Sequence, residues 1–296
     1  MTEHAGPQDT PPAEAGPQAS DHPAEPNAPA APSRPLPRDA GSWASKVDRL
    51  TETRVGSPAA NVVGRRLTGP VQGFGKMWRK TYRLDVGPGI TPRHAIATWK
   101  EHFAEFWPQG NWFEAPLTGI KPGEVAVLDV GIGGGVRLST GVFVLYADEK
   151  SFTLMTPQGH MFAGWITFSA ERAEGGDGRP GAGEGWPTIV QTQVLMRAND
   201  PLYELAMTLG GHRKEDQFWV QTMTALAKYL GAPPADVNTR AVCIDPRRQW
   251  GNAGAVWQNS MVRTLLQTTT APLSALVRRR RRARRSAPAD DRETGR

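Results

Sequence analysis

Cysteine is all but missing from this chain of 296 residues, with Cys243 standing alone. One cysteine excludes an internal disulfide and any multi-cysteine zinc or iron–sulfur site, and it fits a reducing compartment. No uncharged apolar run reaches the roughly 18 residues that a membrane-spanning helix needs. Residues 1–40 lack the basic start and apolar stretch of a secretory signal. HExxH and GxSxG are both absent, and Ser139, Ser151 and Ser169 fall in or beside strand-like sequence, so a zinc hydrolase or serine hydrolase finds no support. Excess positive charge over the whole chain is also small once one place is set aside. The net charge is +6, yet residues 278–285 read RRRRRARR, and without those seven arginines the balance is −1. A pI of about 9.7 therefore describes a tail and not a nucleic-acid-binding domain.

What is present divides into four parts. Residues 1–70 are mostly Pro/Ala-rich, with ten prolines and nine alanines in the first forty. Such a stretch cannot bury enough apolar surface to offset its ordering entropy, so disorder is expected, with one short helix near 43–53. Residues 71–231 carry the core. A strand is expected over 74–86 (FGKMWRKTYRLDV). Thr91-Pro92 then opens a helix whose Ile96, Trp99, Phe103 and Phe106 form one apolar stripe as far as Trp107. Five β-rich stretches follow (124–131, 136–147, 151–156, 162–171 and 187–198), joined by connections too short for parallel crossovers, so they should pair as an antiparallel meander. Asp200-Pro201 starts helical sequence, Gly210-Gly211 interrupts it, and a longer helix from about Arg213 ends at Gly231. Residues 232–277 form an extension and 278–296 an Arg-rich tail.

The stretch AVLDVGIGGG (126–135) looks like the strand and Gly-rich turn of a nucleotide site. That chemistry needs the turn to feed a helix in a parallel βαβ unit, whereas β-branched and aromatic residues follow here, so a hairpin turn is the better reading. His94 and His102 have no third ligand nearby, and no metal or cofactor is expected. His160 lies in a tight turn, TPQGH, that can aim a ring at a cavity mouth. His212 and Glu215 follow the glycine break and are the other acid–base candidates, against the plainer alternative of a solvated charged helix start. Cys243, in AVCIDP, reads as a small buried residue.

Strand, helix, meander and long final helix, carried by TPRHAIATWKEHFAEFWP and DPLYELAMTLGGHRKEDQFW, resemble the helix-grip superfamily, also called SRPBCC or START-like, which includes polyketide cyclase-like proteins and plant pathogenesis-related ligand carriers. The resemblance covers roughly 71–231. It implies an α+β fold in which a curved antiparallel sheet wraps a long C-terminal helix, with a cavity between them for lipids, polyketides, sterols or other apolar molecules. Strand alternation puts Trp165 with Thr167 and Ser169 on one face and Ile166 with Phe168 on the other, leaving open which looks inward. Val194 and Met196 share an apolar face with Val190 and Thr192 and should look toward the helix, where Met207, Phe218, Trp219 and Met223 would line the facing wall. Each of these also suits ordinary core packing.

In the extension, Trp257, Met261, Leu265 and Leu266 make an apolar stripe before Pro272, directly ahead of the arginines. An amphipathic helix beside a polybasic run can hold a protein on an anionic membrane surface, here through Arg278, Arg279, Arg280, Arg281, Arg282, Arg284 and Arg285; nucleic acid is the weaker candidate and an inert tail the plain one. The expectation is a cytoplasmic binder of a small apolar molecule or lipid, with an inert tail ranked ahead of peripheral membrane association through the arginines. The alternatives are a cyclase- or hydratase-type enzyme using the same cavity, or a membrane-surface adaptor.

Overall fold

The computed structural model describes residues 40–50, 61–133, 136–173 and 185–263. The arginine run, most of the Gly-rich stretch 173–186 and the Pro/Ala-rich start lie outside the described residues. Eight strands form one antiparallel sheet: β1 (Met77–Asp85), β2 (Trp112–Glu114), β3 (Val125–Gly133), β4 (Val136–Ala147), β5 (Ser151–Met155), β6 (Phe162–Arg172), β7 (Thr188–Ala198) and β8 (Asn238–Asp245). Their order is β2-β3-β4-β5-β6-β7-β1-β8. β3 to β7 are the expected five-stranded meander, the short β2 adds an unexpected strand beside β3, and β1 closes onto β7 with Tyr82 opposite Thr192. Three α-helices lie wholly within the described residues: α1 (Pro92–Glu101), α2 (Pro201–Ala206) and α3 (His212–Tyr229). The whole is an α+β fold of helix-grip type, with the curved sheet closed over the long C-terminal helix α3.

Local chemistry sets the helix starts. Thr91 Oγ1 accepts the His94 amide, with Pro92 at the first helical position where a missing N–H costs nothing. The Asp200 carboxylate accepts the Leu202 and Tyr203 amides to begin α2. Between α2 and α3 the wide turn Met207–Gly211 breaks the helix: Leu209 leaves helical geometry and Gly210 takes φ +113°, open only to glycine at low cost. β3 pairs antiparallel with β4, Gly133 opposite Val136, so AVLDVGIGGG leads from one strand into the next and not into the helix a nucleotide turn requires.

Several elements differ from expectation. The described part of 43–53 is not helical; Trp43 instead bridges to Tyr146 and packs edge-on against its ring, and Leu50 joins Val62, Val125 and Phe143 in a small second cluster. These isolated apolar residues act as single anchors, and no periodic face is available for a helix to bury. The first helix stops at Glu101, and a 3-10 turn, Phe103–Phe106, carries the rest of the stripe. That turn sets Phe103 edge-on to Phe113, Phe152 and Phe168, with centroids 4.7, 5.5 and 5.1 Å away.

The extension contributes β8, whose residues pair along β1 as an edge strand; Cys243 on it is only partly buried. Trp250–Gln258 is a 3-10 run that leaves Trp257 82% exposed, so the expected stripe does not form there. A helix starts only at 260, its first amides accepted by Asn259 Oδ1, and Leu265 and Leu266 lie beyond the described residues. Among the described residues no helix is long and apolar enough to cross a membrane.

Candidate functional site

Between α3 and the concave face of the sheet lies a cavity of about 620 Å³. Leu128, Val142, Leu154, Ile166, Val194 and Met196 form its sheet wall. Phe103 and Trp107 from the 3-10 turn form one end, and Met207, Leu209 and Gly210 of the wide turn form a lip. The opposite wall is α3, through Glu215, Phe218 and Trp219. Trp107 stands edge-on to Phe218 at 5.0 Å and Phe168 to Trp219 at 5.6 Å, so aromatic contacts tie the helix to the other two walls.

Of the sequence candidates, Val194, Met196, Met207, Phe218, Trp219, His160 and Glu215 border this space. The inward face of β6 is the one bearing Ile166 and Phe168, both in the main core. Trp165 edges the cavity, but its ring goes to the outer face of the sheet, 3.7 Å from the Cβ position of Gly69. Met223 is fully buried and does not border the cavity. It packs in the core, which a methionine one turn along the helix face does just as readily. His212 also stays out of the cavity: its ring lies 5.0 Å from that of Trp78.

Glu215 belongs to a buried polar cluster. Its Oε2 accepts from Lys80 Nζ at 2.8 Å, and the same ammonium donates to Asp216 Oδ1 at 2.7 Å and to the His212 carbonyl at 3.3 Å. Tyr82 donates its hydroxyl to Asp216 Oδ1 at 2.7 Å. Lys80 is 1% exposed, a position that an ammonium holds only with all of its donors engaged. Burial pushes the Glu215 carboxyl up to about 7, with Lys80 pulling the other way and Asp216 adding to the rise. Trp219 gives the weakest of the contacts favouring its charged form, and Oε1 makes no hydrogen bond of regular geometry. Burial likewise raises the Tyr82 phenol, helped by the two acids.

Both histidines are held neutral. Burial lowers His160 to about 4, and its Nδ1 accepts the Phe162 amide at 3.0 Å, so the ring proton sits on Nε2. His212 is lowered to about 4 by burial and then by Lys80. The site thus offers a carboxyl near neutrality, a neutral imidazole and the buried, unpaired indole N–H of Trp107, set in a largely apolar cavity that Lys214, Gln217 and Gln221 also border. Among the described residues no three His, Cys, Asp or Glu side chains gather as metal ligands.

Sequence reasoning missed Lys80 and Tyr82. The available signal was the alternation in β1: Trp78, Lys80, Tyr82 and Leu84 share one face, and a lysine in the middle of an apolar face needs a buried acid opposite it. Trp107 was read as the end of a helical stripe and not as a cavity wall.

No protein-family model matches the chain, and no curated protein matches it in sequence. Solved structures similar to it include Ara h 8.0201, at 15% identity over 51% of this chain and 97% of that one, with a TM-score of 0.33. A protein from Nitrosomonas europaea aligns at 14% identity over 51% and 94% of the two chains, TM-score 0.33. Ginseng major latex-like protein 151 from Panax ginseng aligns at 12% identity over 52% and 98%, TM-score 0.30. Likeness at this level adds nothing about a ligand. The helix-grip architecture stands on the strand order and the placement of α3 in the chain's own structure.

Proposed function

We propose that this protein binds a small, largely apolar molecule in the cavity beneath α3. The observation that carries the reading is the cavity itself: about 620 Å³, walled by aromatic, aliphatic and methionine side chains, within the size range of small-molecule sites. Glu215 Oε1 and the Trp107 indole N–H favour a ligand with one hydrogen-bond donor and one acceptor, since each protein group gains a partner on binding. N-phenyl-1-naphthylamine, neutral and carrying one N–H, is a suitable probe. Its fluorescence should rise to saturation at one molecule per chain, and Val194→Trp, which fills the space, should abolish the rise. Absence of saturable binding, or equal binding by the filled variant, sinks the proposal.

The neutral-range Glu215 at the cavity wall favours a second reading, acid–base catalysis on the bound molecule. As a base it would take a proton from carbon next to a carbonyl, and solvent would return one. With 2-tetralone in deuterated buffer, α-hydrogen exchange should exceed background for the native protein and fall to background for Glu215→Gln. Native exchange at the background rate would leave a carrier and no catalyst.

A further inference from the structure

Arginine keeps its proton at every pH a folded protein meets, so a buried guanidinium needs an anion or a full set of acceptors. Two of the buried cations here follow that rule. Lys80 has two acids, and Arg197 has Asp245 at 2.6 Å with the Arg247 carbonyl at 2.8 Å. Arg65 does not. It is 7% exposed, its Nε and Nη2 are buried without an acceptor, and no acid among the described residues forms an ion pair with it. The charged neighbour that acts on it is a second cation, Arg263, which together with burial depresses its proton affinity.

The two unpaired atoms are the adjacent donors on one edge of the guanidinium, the edge that grips two oxygens of an oxyanion at once. Both arginines are fixed through backbone. Arg65 donates its amide to the Val62 carbonyl at 3.1 Å and accepts from Leu50 at 2.8 Å, and Arg66 exchanges hydrogen bonds with Gln158 at 3.2 and 2.8 Å. On the other side Ser260 donates to the Gly159 carbonyl at 2.9 Å and Arg263 to that of Asn259 at 3.0 Å. The turn at 157–160 therefore holds the two segments that carry Arg65 and Arg263. We propose that Arg65 and Arg263 form an oxyanion site, separate from the cavity, that takes a phosphate monoester, with Arg65 gripping two oxygens through Nε and Nη2 and Arg263 supplying the second positive charge. Two neighbouring cations with no acid paired to either among the described residues match a dianion better than a carboxylate.

The test uses the full chain and inorganic phosphate, with sodium chloride at matched ionic strength as control. Phosphate should raise the melting temperature and chloride should not. Arg65→Met should lose the phosphate-dependent rise while melting, without phosphate, no lower than the native protein, because it removes an uncompensated buried charge. Arg65→Lys, which keeps the charge but not the fork, should retain only a remnant of the rise. A second arm separates a free phosphate ester from a lipid headgroup: phosphatidylcholine vesicles with and without phosphatidate. Since residues 278–285 add seven arginines, the vesicle readout is the difference between native protein and Arg65→Met; a difference assigns the site to a headgroup and none to a free ester. An equal phosphate effect in native and Arg65→Met protein, or none in either, overturns the proposal.

Discussion

Glu215→Gln keeps the side-chain volume and removes one ionisation, which makes it a direct probe of the buried cluster. In the folded protein burial holds this carboxyl at about 7 against an ordinary 4.5. Between those values the folded chain retains a proton that the unfolded chain has released, so stability falls as pH rises through the window. At about 1.4 kcal/mol for each pH unit the full change is roughly 3 kcal/mol. His160 and His212, both lowered to about 4 from 6.5, act oppositely: the unfolded chain binds their protons first as pH falls, so they cost stability below pH 6.5 and not above it. Subtracting native from variant removes most of that slope and leaves the Glu215 part. Urea unfolding followed by tryptophan emission from pH 4.5 to 8 measures it. Glutamine resembles the protonated acid, so the two proteins should match near pH 4.5, and Glu215→Gln should be the more stable by roughly 3 kcal/mol near pH 8. A difference flat to within about 1 kcal/mol across the range, or one that grows in favour of the native protein, would refute the burial-dominated account and make the Lys80 pair the stronger effect.

Two further substitutions test the framework. Lys80→Met leaves Glu215 and Asp216 without their shared cation and should cost about 3–5 kcal/mol at pH 8, with Lys80→Met/Glu215→Gln recovering part of it; strict additivity in urea titrations would show that the residues are not coupled. Gly164→Ala would place a methyl carbon 2.1 Å from the Leu195 carbonyl oxygen and 2.9 Å from Met196 Cα, both backbone of β7, so the β6–β7 ladder must open. A loss of about 3 kcal/mol or more, or no soluble protein, is expected. Gly251→Ala, which meets nothing within 4 Å, should change stability by less than about 0.5 kcal/mol, and similar behaviour of the two would contradict the β6–β7 packing.

The core elements were legible because their patterns are local. Ile96, Trp99, Phe103 and Phe106 are all buried, as their spacing required, although two of them ride on a 3-10 turn. Val190, Thr192, Val194 and Met196 alternate inward as read. Cavity residues were legible only as members of apolar faces. Met196 and Met223 carry the same sequence signal, and one borders the cavity while the other packs in solid core. The β8 strand escaped notice because an edge strand, half exposed, has little alternation to show.

From the sequence alone came the order of the main core elements from β1 to α3, the antiparallel pairing forced by short connections, the glycine break before the final helix and the concentration of arginine in residues 278–285. Each is written in neighbouring residues or in a simple count. Tertiary structure alone decided which face of β6 looks inward, that β1 brings Lys80 to Glu215 across 135 residues of chain, and that Arg65 lies buried with two donors unpaired. These depend on which groups share a space that water has left. Desolvation makes the charge on Glu215 costly and the one on Arg65 unmet, and it arises from packing among segments distant in sequence.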